Sequence, residues 1–292
     1  NDSGFDKCLE LDCTTADTSI AADEVFNLDY RIEGHDVQHL KYGTSDAEYL
    51  TVGFWMKADA AIVYSVGFIE VDNSRSIRQV FTTGTDWTYH CIPFIGDTVS
   101  GPNDDIGEGM RLRFTFHGGS DFTGGTLATS WESTTAANFH VGGGSFFAST
   151  DRSIKMTGLQ LERGYFTAET MPPFQHESMS ENLKRCHRYF FRQGDEGGYA
   201  ALGSGVCENT SQAYVMINLP TTMRTSPSAS FTNNVTLFDG DTFNTSSSIN
   251  STQKGTNCVR LTVTGNSGVA NGNGATLHVE NSTSFCDFNS EL

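Results

Sequence analysis

The run LTVGFWMK at 50–57 puts Leu50, Val52, Phe54 and Met56 on one side of an extended chain and Thr51, Gly53, Trp55 and Lys57 on the other. That period of two belongs to a half-buried β-strand, not to a helix. It recurs. RLRFTF (111–116) sets Leu112, Phe114 and Phe116 against Arg111, Arg113 and Thr115, and WTYHCIPF (87–94) sets Trp87, Tyr89 and Cys91 against Thr88, His90 and Ile92. IKMTGLQLERG (154–164) reads as another strand, and AIVYSVGFIEV (61–71) with SIRQVF (76–81) flanks the turn Asp72-Asn73-Ser74 as a hairpin. Short strands joined by polar, Gly-rich loops, with no helical period between them, predict an all-β antiparallel sandwich rather than a parallel α/β sheet.

A second β region follows the break Gly194-Asp195-Glu196-Gly197-Gly198. AYVMINLP (213–220), TLFDGDTF (236–243) with an Asp-Gly turn at 239–240, NCVRLTVTG (257–265) and ATLHVEN (275–281) carry it. The predicted organisation is a β-sandwich over 1–175, a linking helix over 176–194 and a smaller β-sandwich over 195–292.

The helix is the exception to the pattern. In MPPFQHESMSENLKRCHRYFF (171–191), Pro172 and Pro173 block a helix before them, and Ser178-x-x-Glu181 forms a capping box. Met179, Leu183, Cys186 and Phe190 then recur as one apolar stripe, with Lys184, Arg185, Arg188 and Arg192 placed elsewhere. A helix of about 12 residues is marginal alone in water, so the stripe should pack on one of the β halves or on other copies about a symmetry axis.

Charge and cysteine usage exclude several functions. The formal charge is −17, of which −12 falls on the first 194 residues, so both parts repel nucleic acid and anionic membrane. The longest apolar run, AAIVYSVGFI at 60–69, is interrupted by Ser65 and Gly67 and is far short of the ~18 residues a spanning helix needs. Membrane insertion is not expected. The seven cysteines form no CxxC pair, which leaves zinc and redox motifs without support and favours free thiols; Cys8 and Cys13 are the one close pair. The chain begins at Asn1 without an initiator Met or a signal-peptide pattern, the mark of a processed chain or a piece of a longer one.

No catalytic motif stands out: there is no HExxH and no GxSxG. Asp104, Asp105 and Glu108, with Asn103, sit in a Gly-flanked loop dense enough in hard oxygens to hold a structural Ca²⁺, although the spacing is not that of an EF-hand and a solvated acidic turn competes. Trp131, in the polar loop ATSWESTT, could stack on a sugar ring or pack its loop onto the sandwich; Tyr199 and Phe243 are further glycan-binding candidates in the C-terminal part. Trp55 and Trp87, within strands, read as packing residues. The long loops 96–109 and 117–150 are candidate contact surfaces.

The junction GLQLERGYFTAETMPPFQHESMSENLKRCHRYFF resembles one found in phage and marine-virus tail-fibre or virion structural proteins, where a "QLE-G" strand end, a "TPF"-like segment and an Arg-Cys-x-Arg-Tyr helix follow one another. Here these are Gln160-Leu161-Glu162, Gly164, Pro173-Phe174 and Arg185-Cys186-His187-Arg188-Tyr189. Pro172 beside Pro173, and Phe190-Phe191 in place of the usual aromatic run, are departures. LKYGTSDAEYLTVGFWMKA and GSDFTGGTLATSW resemble the same family's N-terminal domain, itself similar to jelly-roll carbohydrate-binding modules; INLPTTMRTSPS and the closing FNSEL resemble its terminal domain. The resemblance implies a non-enzymatic virion protein, homotrimeric, which contacts other virion proteins and host cell-surface glycan. Its rivals are a capsid- or tail-bound decoration protein without receptor binding and, least supported by any motif, a glycan depolymerase.

Overall fold

The structure is a computed structural model that describes residues 4–17, 19–194, 200–231, 235–241, 243–246, 248–266, 268–280 and 284–292. The chain is all-β with a few short helices and divides into two compact units, 1–175 and 176–292. The break Gly194-Asp195-Glu196-Gly197-Gly198 is outside the described residues from 195 onwards.

The first unit contains β1 (Leu9–Asp12), β2 (Val25–Glu33), β3 (Leu50–Ala58), β4 (Val63–Glu70), β5 (Arg75–Thr82), β6 (Thr88–Phe94), β7 (Glu108–Gly118), α1 (Ser120–Thr123), β8 (Glu132–Ser133) and β9 (Ser153–Arg163). Its strands form two antiparallel sheets, ordered β1-β9-β3-β6 and β2-β7-β4-β5-β8. Apart from β8, this interleaving of early and late strands in both sheets is the double Greek key of a jelly roll. Val52, Phe54 and Met56 of β3 meet Tyr64, Val66 and Phe68 of β4 and Leu112, Phe114 and Phe116 of β7 in the buried core. Aromatic edges fit this core together: the Phe54 ring stands edge-on to Phe81 at 5.2 Å and to Phe114 at 5.0 Å, and His90 stacks on it at 5.0 Å.

The 117–150 segment, expected as a contact loop, instead covers the outer face of the five-stranded sheet. Ala128, Phe139 and His140 are buried there, while Phe146 joins the interior core. Its backbone is tied down by the Ser65 hydroxyl, which donates to Phe139 O at 2.8 Å.

The second unit begins with α2 (Met179–His187) and continues through β10 (Phe190–Gly194), β11 (Ala201–Cys207), β12 (Gln212–Asn218), β13 (Ser228–Phe231), β14 (Val235–Phe238), β15 (Phe243–Thr245), β16 (Ser248–Lys254), β17 (Cys258–Thr264), β18 (Gly274–Val279) and β19 (Phe285–Asn289). A seven-stranded sheet, β15-β14-β18-β11-β12-β17-β16, is accompanied by a three-stranded sheet, β10-β19-β13. Val215, Leu237, Leu261 and Leu277 of the larger sheet and Phe288 of the smaller share one buried core. The Asp239-Gly240 turn forms as the sequence predicts, with Gly240 at φ 94° and Phe238 opposite Phe243.

The helix is shorter than its apolar period suggests. Ser178 caps it, its hydroxyl accepting from Glu181 N at 3.3 Å, but the helical residues stop at His187. Phe190 is therefore not a helix-stripe residue: it opens β10 opposite Asn289, and Phe191 stacks on Phe288 at 6.2 Å. Aromatic residues gain more from a pleated, half-buried strand than from another helical turn, so 190–194 joins the second sandwich instead of extending the linker. The rest of the stripe is not covered within the unit: Met179 is 81% and Leu183 48% exposed, Cys186 is exposed, and the helix buries no residue.

Candidate functional site

A cleft lies on the outward face of the four-stranded sheet in the first unit. Alternation along β3 turns Trp55 out of the core, and register sets it opposite Tyr89 of β6. The two rings lie 5.3 Å apart with a 45° tilt. Phe5, Gly158, Ala168, Met171, Pro172 and Phe174 complete a cavity of about 250 Å³.

Two glycines make this arrangement possible. The pairing of β3 with β9 shifts between Gly53 and Trp55, and Gly158 in the bulged strand takes φ 61°. A left-handed glycine at a bulge is the usual solution to one extra residue in a strand. A Cβ on Gly158 would lie 2.6 Å from the Phe5 ring, and one on Gly53 would lie 2.4 Å from the Tyr89 hydroxyl and 2.9 Å from Met171 Cε. The floor is thus bare backbone on which rings lie directly.

Polar contacts fix the rim. Gln160 Nε2 donates to Glu162 Oε1 at 2.9 Å and to Pro172 O at 3.1 Å, while Met171 N donates to Thr167 O at 2.9 Å, turning the 167–171 segment over the cleft. Thr157 Oγ1 donates to Lys7 O at 2.8 Å and holds the N-terminal segment that carries Phe5. Phe5 meets Phe174 edge-on at 4.9 Å. Tyr89 is the one titratable lining residue, and burial, reinforced by Cys91 and Glu162, raises its phenol above the ordinary range. Cys91 beside it is raised as well, by burial and then by Glu169. At neutral pH the cleft therefore offers a phenolic donor and aromatic faces, and the described residues that line it include neither a thiolate nor a carboxylate.

The residues singled out from sequence lie elsewhere. Trp131 is a strut: its indole N–H donates to Ile95 O at 2.6 Å, its ring meets Tyr42 edge-on at 5.7 Å, and its carbonyl accepts from Arg75 Nη2 at 3.2 Å. Tyr199 is outside the described residues. Phe243, 60% exposed, stacks on Phe238 at 4.6 Å, with His278 at 6.0 Å, and Thr236 and Thr245 hydroxyls that donate to Glu280 stand beside it on the same sheet face. It forms a small, open aromatic platform in the second unit.

The three acidic residues read as a Ca²⁺ site do not converge. Asp105 Oδ1 accepts from Gly107 N at 2.7 Å within its own turn, Asp104 is exposed, and Glu108 is held by Arg111 at 2.5 and 2.9 Å with Arg31 at 3.8 Å. Arg111 of the same strand and Arg31 of the neighbouring β2 supply Glu108 with positive charge. Among the described residues the one grouping with metal-like spacing is Glu33, His35 and Asp36, where His35 Nε2 already meets Asp36 at 3.1 Å and Glu33 at 3.6 Å.

Trp55, which its place within a strand marks as a packing residue, packs on Tyr89 and also lines the cleft. The available signal was its outward place in the alternation of β3, two positions from a glycine on the same face.

No protein family matches the chain, and no curated protein does. Among solved structures, the wild-type discoidin II from Dictyostelium discoideum is similar over 84% of this chain and 74% of its own, at 10% identity and a TM-score of 0.19. A likeness of that size carries no functional information.

Proposed function

We propose that this chain is a non-enzymatic glycan-binding protein of the virion-fibre kind, a homotrimer displayed on the particle surface that holds host cell-surface glycan in the aromatic cleft of its first sandwich. The cleft is the observation that carries this reading. Aromatic faces on bare backbone suit the apolar faces of a sugar ring, and the Tyr89 hydroxyl and Gln160 amide offer polar partners at its edge. At about 250 Å³ the cavity is below the ~300–1,000 Å³ typical of larger ligands, a size for one sugar unit or a chain end. The open platform at Phe243 supports a second, shallower contact. Weak single sites become effective when three copies engage together.

The uncovered stripe Met179, Leu183 and Cys186 supports assembly, because a nine-residue helix that buries nothing in its own unit gains stability from a partner. The same stripe favours a second reading, a capsid- or tail-bound decoration protein in which the helix docks on other virion proteins and no receptor is touched.

Incubation of the purified protein with immobilised cell-surface polysaccharides separates these readings. Retention without release of reducing ends is expected. Absence of retention on any polysaccharide would favour the decoration protein, and release of reducing ends would make it a depolymerase.

A further inference from the structure

The cleft on the four-stranded sheet has aromatic walls but few groups that could bond to a sugar's hydroxyls. Trp55 and Tyr89 lean together at 5.3 Å with a 45° tilt, and Phe5 and Phe174 stand at right angles 4.9 Å apart, with Met171 beside them. Neither pair is stacked flat, so the rings border a space of about 250 Å³ instead of filling it.

Hydrogen bonding limits what can occupy that space. Among the described lining residues the Tyr89 hydroxyl and the Trp55 indole N–H are the strong side-chain hydrogen-bonding groups. Gln160 at the rim has both amide N–H groups engaged, with Glu162 Oε1 at 2.9 Å and Pro172 O at 3.1 Å. A sugar ring drawn wholly into the cleft would bury several hydroxyls against carbon, and each one left unpaired opposes binding. A quaternary ammonium group has no N–H to satisfy. It presents only methyl groups, its charge is spread over them, and the negative faces of aromatic rings attract it.

The surrounding charge has the matching sign. No described lining residue is cationic. Burial raises the Tyr89 phenol, with Cys91 and Glu162 adding to the effect, and raises the Cys91 thiol, with Glu169 adding; no lysine is among the groups that shift either. Lys57 and Lys155 pair in register two positions along β3 from Trp55, and Lys155 Nζ is turned to Glu10 at 2.7 Å. A cation entering the cleft thus meets acidic neighbours at Tyr89 and Cys91.

Resting on the reading of this cleft as a glycan site, we propose that the part of the glycan it encloses is a quaternary ammonium substituent of the choline class, with the sugar ring that carries it held at the rim.

Choline is the probe, compared with the neutral alcohol in which a tert-butyl group replaces the trimethylammonium. In proton NMR titrations with the full chain, the choline methyl signal should broaden and move upfield, as protons held against aromatic faces do, with an affinity about tenfold above that of the neutral alcohol. Trp55→Ala should abolish the shift, and Glu162→Gln, which keeps an acceptor for Gln160, should narrow the gap between the two probes. Choline should also release the protein from choline-substituted polysaccharide where sodium chloride at equal ionic strength does not. Equal affinity for the two probes, or no response to choline, overturns the proposal. Retention on choline-free polysaccharide that Trp55→Ala removes would then leave the cleft a plain sugar site, whereas absence of retention on every polysaccharide would remove the glycan reading itself. Binding to phosphatidylcholine vesicles without retention on the substituted polysaccharide would make the ligand a lipid headgroup and overturn the glycan assignment. If Trp55→Ala does not fold, the comparison of the two probes on the wild type and on Glu162→Gln decides the matter.

Discussion

Gly158→Ala tests the physical basis of the cleft. Gly158 sits at φ 61°, so any side chain there incurs the left-handed backbone penalty of about 1 kcal/mol. The new Cβ would stand 2.6 and 2.8 Å from two Phe5 ring atoms and 3.3 Å from Trp55 Cδ1, which forces the Phe5 ring off the sheet. Losing the contacts of a half-buried phenylalanine adds roughly 1–2 kcal/mol, for a total of about 2–3 kcal/mol. Gly142→Ala is the control, since Gly142 has φ 73° and nothing within 4 Å of its would-be Cβ. It should show only the backbone cost, and the unfolded-state effect of Gly→Ala is common to both variants. All three tryptophans, Trp55, Trp87 and Trp131, lie in the first unit, so indole fluorescence during urea unfolding reports that unit separately. A loss for Gly158→Ala no greater than for Gly142→Ala would refute the idea that the Phe5 ring rests on the glycine floor.

Three further outcomes follow from particular residues. His90 lies against Phe54 and Phe81 and burial lowers its pKa, so the folded form holds a neutral ring while the unfolded chain takes up a proton below about pH 6.5. Stability of the first unit should therefore fall as the pH drops from about 7 to 5, and His90→Phe should flatten part of that slope in urea titrations; His117 and His140, lowered mainly by burial too, supply the remainder. Phe243→Ala should lower the unfolding free energy of the second unit by less than about 1 kcal/mol, because the ring is 60% exposed, yet weaken retention on polysaccharide. Leu183→Ser with Met179→Ser should leave both units folded and dissociate the proposed trimer to monomer in sedimentation; a variant that sediments as the wild type does would remove the helix from any interface.

The legible part of the fold is the part with one dry face. β12 and β17 alternate strictly because every second residue meets a core, β3 and β7 set their large apolar residues on the same period although neighbours between them are buried too, and the β4–β5 and β14–β15 hairpins announced themselves by their turns. β2 was missed for a physical reason: Asn27, Asp29 and Arg31 pair with Thr115, Arg113 and Arg111 in a polar layer, so the strand carries residues of low β-propensity. β10 and β19 escaped notice because their pairing joins residues almost a hundred positions apart, which no local pattern records. The cleft was half-visible. Alternation put Trp55 outward, but Phe5, Phe174 and the bulge at Gly158 come together only through the pairing of β3 with β9 and the return of the 167–174 segment.

Glycan-array binding by the intact protein and by Trp55→Ala bears most directly on the proposed role. Trp55 is partly exposed and outside the core, so the variant should stay folded while its signal on the glycans bound by the wild type falls about tenfold or more, the loss of one stacking face worth at least ~1.4 kcal/mol. Equal binding by the folded variant and the wild type would contradict a sugar site on this face of the sheet.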